Sequence, residues 1–221
     1  MTNANMQSLR RAAMAGIAGA AATAIGGLLV QAVVQPATAV SDERWSYPWS
    51  SSALVPISIL WACLHVLVFI GVLGFARSRL AGASRGARFG PLLALVGTAL
   101  LFVGELASIP IRDQRTDEIG AAIVGAIFGI ASLLTAAGFL AAGIATLRAR
   151  LWRGWRRFTP LSAGIATCVL LGLDSTTKAL PTGVALYGLC LLALGIALYT
   201  QPAPAPDAAK TPPLTVLEQP A

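Results

Sequence analysis

Charge is what this chain has least of. Of its 221 residues only 11% are charged and 56% are hydrophobic, whereas soluble domains carry roughly a quarter of their residues as charges. A chain this short cannot build a core large enough to bury its long uncharged runs, so lipid is the medium that satisfies them. Histidine occurs once, at His65. That excludes bis-histidine haem ligation and a histidine-rich metal centre within one chain. Cys63, Cys168 and Cys190 fall inside apolar runs with no C-x-x-C spacing, so neither a disulfide framework nor a zinc site is indicated. There is no P-loop, no G-x-G-x-x-G and no H-E-x-x-H. The apolar runs also hold no paired acids for acid–base catalysis, and His65 has no obvious serine partner beyond Ser58. An enzyme is not indicated, and no cofactor or metal is expected.

What the chain has in quantity is apolar length. Runs stand at about 12–34, 53–76, 91–111, 119–147, 160–173 and 182–200. A helix needs ~20 apolar residues to cross a bilayer core, and none of these runs alternates as barrel strands do. The expected fold is all-α, a polytopic transmembrane bundle of six helices over residues 1–200. The Pro/Ala-rich tail, 201–221, is expected to be disordered and cytoplasmic. The fourth run is long enough to tilt, and the short fifth leans on its neighbours or thins the bilayer. Small residues four apart, at Gly16/Ala20, Ala22/Gly26, Thr23/Gly27 and Gly125/Gly129, let helix backbones approach closely. The first run has a rival reading, because Arg10-Arg11, an apolar stretch and Ala37-Thr38-Ala39 resemble a signal peptide and its cleavage site. The run is longer than the 7–15 residues of a signal core, so an uncleaved first span is preferred. Cleavage would leave five spans.

Orientation follows from where the basic residues lie. Two arginines precede the first run, four lie between the second and third, five between the fourth and fifth, and Lys210 is in the tail. The alternate loops hold only Arg44, Arg112, Arg115 and Lys178. Cytoplasmic loops carry the excess of Lys and Arg, which puts both termini in the cytoplasm. Arginine-rich, Ala- and Gly-rich usage fits a high-GC bacterium, hence a bacterial plasma (inner) membrane. The net charge of +7 is thereby explained without nucleic acid. In the stretch 148–158, Leu151, Trp155 and Phe158 share one helical face while arginines fill the rest. This is the pattern of a short interfacial helix on anionic lipid, with Arg148, Arg150, Arg153, Arg156, Arg157, Trp152 and Trp155 as the candidate contacts. Trp45, Tyr47 and Trp49 read as headgroup-level anchors in the first outer loop.

Polar groups inside the runs are few and therefore informative. Glu105 costs roughly 2.5–3.5 kcal/mol at the centre of a span on insertion scales, so such a group normally faces a helix, a cavity or a partner. At a 1.5 Å rise per residue it sits about 9 Å below the outer end of its run, and His65 about 14–18 Å below its own. With Gln31 and Asp174 near the outer ends of the first and fifth spans, these four form a candidate polar pocket opening outward. If their helices touch, Glu105 and His65 can pair. A protonated Glu105 bonded to a backbone carbonyl is the competing arrangement.

The Trp45-x-Tyr47-Pro48-Trp49 loop, the GELASIP segment at 104–110 and the RGWRRFTP segment at 153–160 resemble uncharacterised multi-pass membrane proteins of high-GC bacteria, over most of residues 10–200. The resemblance implies membrane residence and transfers no residue role. The expected function is a structural, accessory or lipid-interacting membrane component, with a membrane-protein partner or a second copy of the chain on its small-residue faces. The alternative is a small-solute or proton-coupled carrier using Glu105 and His65. No inverted repeat between residues 12–111 and 119–200 is evident to favour the carrier.

Overall fold

Where no water can satisfy the backbone, an apolar run must satisfy its own N–H and C=O groups, and helix is the local solution. The computed structural model of the chain, which describes residues 3–173 and 178–201, is all-helical, with no strand among those residues. Helix α1 runs Asn3–Leu29, passes through a π turn at Val30–Val34 and ends at Gln35–Ala37. Helix α2 is Ser51–Ser78, α3 is Arg85–Ser108 and α4 is Ile119–Ala149. A 3-10 turn at Gly154–Phe158 leads into α5, Thr159–Leu173, and α6 is Leu180–Tyr199. All of these except α5 are long and apolar enough to cross a membrane, which makes five such helices. α5 has 15 described residues.

Capping explains two boundaries that apolarity alone misplaces. The Ser50 and Ser84 side chains accept hydrogen bonds from Ala53 N and Ala87 N, starting α2 and α3 as N-caps do. Helix α3 therefore begins six residues before Pro91, which sits inside it. α1 likewise starts well before residue 12, because Met6 and Leu9 are buried and extend its packed face.

Each helix packs against its neighbours in sequence, and α6 returns to pack against α1, so the six close into a ring. The middle is filled by Phe75, Phe139, Tyr187, Leu191, Leu194 and Leu198. α1 is one wall of that ring, and a chain cut after Ala39 would lose it. Glycines set the spacing. A β-carbon at Gly71 of α2 would lie 2.7 Å from the α-carbon of Gly16 in α1, and one at Gly188 of α6 would lie 2.5 Å from the Ala24 nitrogen. Of the small residues flagged in the sequence, Gly16 and Gly26 thus serve packing against α2, and Gly27 against α6. Gly125 and Gly129 meet nothing within 4 Å. The outward faces carry exposed Ile25, Leu60, Val96, Ile123, Leu133 and Ile165, an apolar surface compatible with a membrane surround.

Two hairpins of the ring repeat. Arg77-x-Arg79-Leu80 ends α2 and Arg148-x-Arg150-Leu151 ends α4. Arg79 and Arg150 are both left-handed, at φ 55° and 53°, and each is followed by a glycine of positive φ, Gly82 or Gly154. Arg88-Phe89-x-Pro91-Leu92-x-Ala94 returns as Arg157-Phe158-x-Pro160-Leu161-x-Ala163, with Thr98 and Leu101 matched by Thr167 and Leu170. The hairpins α2–α3 and α4–α5 run in the same sense, so this relation is parallel rather than inverted.

Gly71→Leu is expected to destabilise the bundle by about 1–3 kcal/mol through overpacking, read as a lower melting temperature in detergent. Gly129→Leu should leave that temperature nearly unchanged. Equal losses from the two substitutions would contradict the assigned faces.

Candidate functional site

Along α2 the buried positions Leu54, Ser58, Ala62, His65, Val68, Val72 and Phe75 recur at helical spacing and form the face turned into the ring. His65 belongs to that face because its neighbours on the stripe do. On α3, Glu105 lies beside the buried Leu101, Gly104 and Ser108. The two helices are chain neighbours in the ring, and they bring His65 Nε2 to 3.5 Å from Glu105 Oε1, with 9% and 17% of the side chains exposed. That separation is an ion-pair contact, longer than the 2.7–3.2 Å of a formed N–H···O bond. The other ring nitrogen, Nδ1, is buried and has no hydrogen-bond partner.

Most other buried hydroxyls are already spent. Thr98, Thr135, Thr146 and Thr167 each donate to the carbonyl four residues back, at 2.7–2.8 Å. The Thr23 hydroxyl is buried without a partner. Among the described residues, His65 and Glu105 are the ionisable pair in contact in this interior. Two arrangements are chemically equivalent in total charge: imidazolium with carboxylate, or imidazole with carboxylic acid. In a low dielectric neither group sheds its partner cheaply.

The remaining expected pocket residues lie elsewhere. Gln31, in the π turn of α1, donates to Gln35 Oε1 and accepts from the Thr182 hydroxyl of α6 at 2.9 Å. Asp174 lies outside the described residues, although in the repeat its register matches that of Glu105. Above the pair, the 38–50 and 109–118 loops are clasped together. Trp45 N donates to Gln114 O, Thr116 N donates to Glu43 O, and Arg115 contacts Glu43 at 3.1 Å. Hydrogen bonding to Asp117, with Glu43 alongside, holds the Arg115 guanidinium further above its ordinary value. Trp45 packs on Ile111, Ala121 and Val124.

The arginine-rich stretch departs from a single interfacial helix. α4 continues through Arg148 to Ala149, and only Gly154–Phe158 winds again, as a 3-10 turn. Leu151, Trp155 and Phe158 are exposed, as are Arg148, Arg150, Arg153 and Arg157. Arg157 lies over the Phe158 ring at 4.8 Å. Arg156 donates to the Thr200 carbonyl and hydroxyl. Trp152 differs from its expected lipid-facing place. It is 2% exposed, stacked on Phe75 with ring centroids 6.0 Å apart, and its indole N–H donates to Gln201. Its position off the Leu151/Trp155/Phe158 face is the one sequence signal that sets it apart.

A serine-hydrolase pattern, Gly82-x-Ser84-x-Gly86, is present in the chain and escapes the sequence reading above. Its context excludes a nucleophile elbow, which needs a strand-to-helix turn. Here two helices flank it, and Ser84 is the N-cap of α3. No protein-family model, curated protein or solved structure matches the chain.

The His65–Glu105 contact is expected to show a coupling of about 0.5–3 kcal/mol, the range for residues in direct contact. The measurement is a double-mutant cycle of wild type, His65→Asn, Glu105→Gln and the double variant, unfolded in mixed micelles. Additive losses would show that the two side chains do not interact.

Proposed function

We propose that the chain is a six-span protein of a bacterial plasma membrane, with both termini and its arginine-rich end in the cytoplasm. We further propose that it acts as a structural or accessory component docking on anionic lipid. The observation that carries this reading is the segregation of charge along the bundle. Eleven arginines, from Arg10 to Arg157, cluster where α1 begins, α2 passes into α3 and α4 passes into α5, and no described acid lies there. Asp42, Glu43, Asp113, Asp117 and Glu118 all lie in the loops at the other end. Each arginine near an anionic surface contributes about 1 kcal/mol of attraction. The exposed Phe89, Leu151, Trp155 and Phe158 add an apolar rim that enters the headgroup boundary.

A second reading, proton-coupled movement of a small solute, is supported by the buried His65–Glu105 pair and the unpartnered His65 Nδ1. It requires that proton uptake into vesicles containing the purified chain be lost in Glu105→Gln while the variant stays folded. Equal uptake by both proteins would remove it.

In a background lacking the three native cysteines, Ala83→Cys should react with an impermeant thiol reagent only after the cells are opened. Ser41→Cys should react in intact cells. The reverse pattern would overturn the orientation. In nanodiscs, Arg153→Gln with Arg157→Gln should lower the preference for anionic over zwitterionic lipid, and an unchanged preference would count against docking through this end.

A further inference from the structure

α1 and α2 touch at Gly16/Gly71 and at Ala12/Gly74, where a β-carbon on Gly74 would lie 2.8 Å from that of Ala12. On the basic side of these contacts lies a cleft of about 440 Å3 whose floor is Ala12 and Gly74. That volume falls within the roughly 300–1,000 Å3 of small-molecule sites. Ser8 and Arg11 line it from α1, and Arg77 lines it from α2. Ile70 and Leu73 form an apolar wall below them. The Ser78 hydroxyl at the rim is engaged with the Phe75 carbonyl.

Arg11 and Arg77 take part in none of the ion pairs among the described residues, and no described acid stands at this end. An anion held in a cleft bordered by two guanidinium groups is attracted by both. The guanidinium fork matches phosphate oxygens in pairs. The Ile70–Leu73 wall adds what a free anion cannot use, an apolar surface running from the charged level into the belt. We propose that the α1–α2 cleft binds a phosphate-bearing ligand, with Arg11 and Arg77 on the phosphate oxygens and the apolar wall along an attached acyl chain. This deepens the lipid-docking reading and rests on it, while placing the specific contact at a site distinct from the 148–158 stretch.

The test titrates the purified full chain in neutral detergent with phosphatidylglycerol, phosphatidylcholine and inorganic phosphate separately, reading bound ligand by native mass spectrometry and stability by melting. Wild type should bind one phosphatidylglycerol in preference to phosphatidylcholine. R11Q/R77Q should weaken that binding by roughly tenfold or more, as expected for two lost phosphate contacts, with its melting temperature in detergent alone unchanged. Ser8→Phe, which fills the cleft mouth and leaves every charge in place, should give a comparable loss. R153Q/R157Q should retain the single site. Stabilisation by inorganic phosphate that needs both arginines would assign the same cleft to a free phosphate ligand. Stabilisation by phosphatidylglycerol alone assigns it to the lipid headgroup. Equal binding by wild type and R11Q/R77Q overturns the cleft, as does an equal loss in R153Q/R157Q. Absence of any anionic-lipid preference in wild type overturns the docking reading itself.

Discussion

Close approach of helix backbones is the constraint on which this structure depends. Lipid is as apolar as leucine, so helices in a bilayer gain little by hiding apolar side chains from it and associate through packing and interhelical polar contacts instead. Gly16 against Gly71, Gly188 against Ala24 and Gly90 against Ala142 supply that packing at three of the six joints of the ring. Because the ring closes α6 on α1, a wider side chain at any of these joints shifts two helices and the side chains filling the middle. The leucines and isoleucines on the outer faces set solubility in lipid. The glycines set the architecture.

Within that frame the polar groups divide into those that hold the ends and those that remain reactive. The 38–50 and 109–118 loops are clasped by backbone hydrogen bonds around Arg115 and Glu43. The basic end is closed by Trp152, which stacks on Phe75 and ties Gln201 to the bundle. Between the two ends most hydroxyls turn back on their own helices. His65 and Glu105 do not, and their contact exists because α2 and α3 are ring neighbours whose inward faces place both side chains at one level. The repeat of α2–α3 as α4–α5 matches the two basic turns, Arg79 with Arg150. The chain thus uses one local device twice at its basic end.

Much of this was legible in the sequence, for identifiable reasons. Apolar runs mark the stretches a membrane would enclose, so the helices fall where those runs lie. They do not mark helix ends, which is why Ser84 rather than Pro91 starts α3 and why α1 reaches back to Asn3. The scarcity of polar groups singled out His65 and Glu105, since an unpaired ionisable group in lipid is too costly to be incidental. Which small-residue pairs serve packing was not legible. Gly16/Ala20 and Gly125/Gly129 look alike along the chain, and only the ring assigns one to an interface and leaves the other open. The burial of Trp152 was hinted at only by its place off the Leu151/Trp155/Phe158 face, because it depends on Phe75 arriving from another helix. The partner of Gln31 was not legible either, because Thr182 comes from the far end of the chain.

The central claim is the closed ring, and the joint that no short loop enforces is α6 on α1. A β-carbon at Gly195 would lie 3.5 Å from the Ile17 α-carbon, which puts cysteines at the two positions within reach of a disulfide, whose α-carbons usually stand about 4.4–6.8 Å apart. The most direct measurement is oxidative cross-linking of Ile17→Cys with Gly195→Cys in native membranes, in a chain lacking its three own cysteines. The account requires a bond within one chain, joining the first helix to the last and seen as a monomer of altered mobility. No bond, or a bond only between two copies, would contradict the ring.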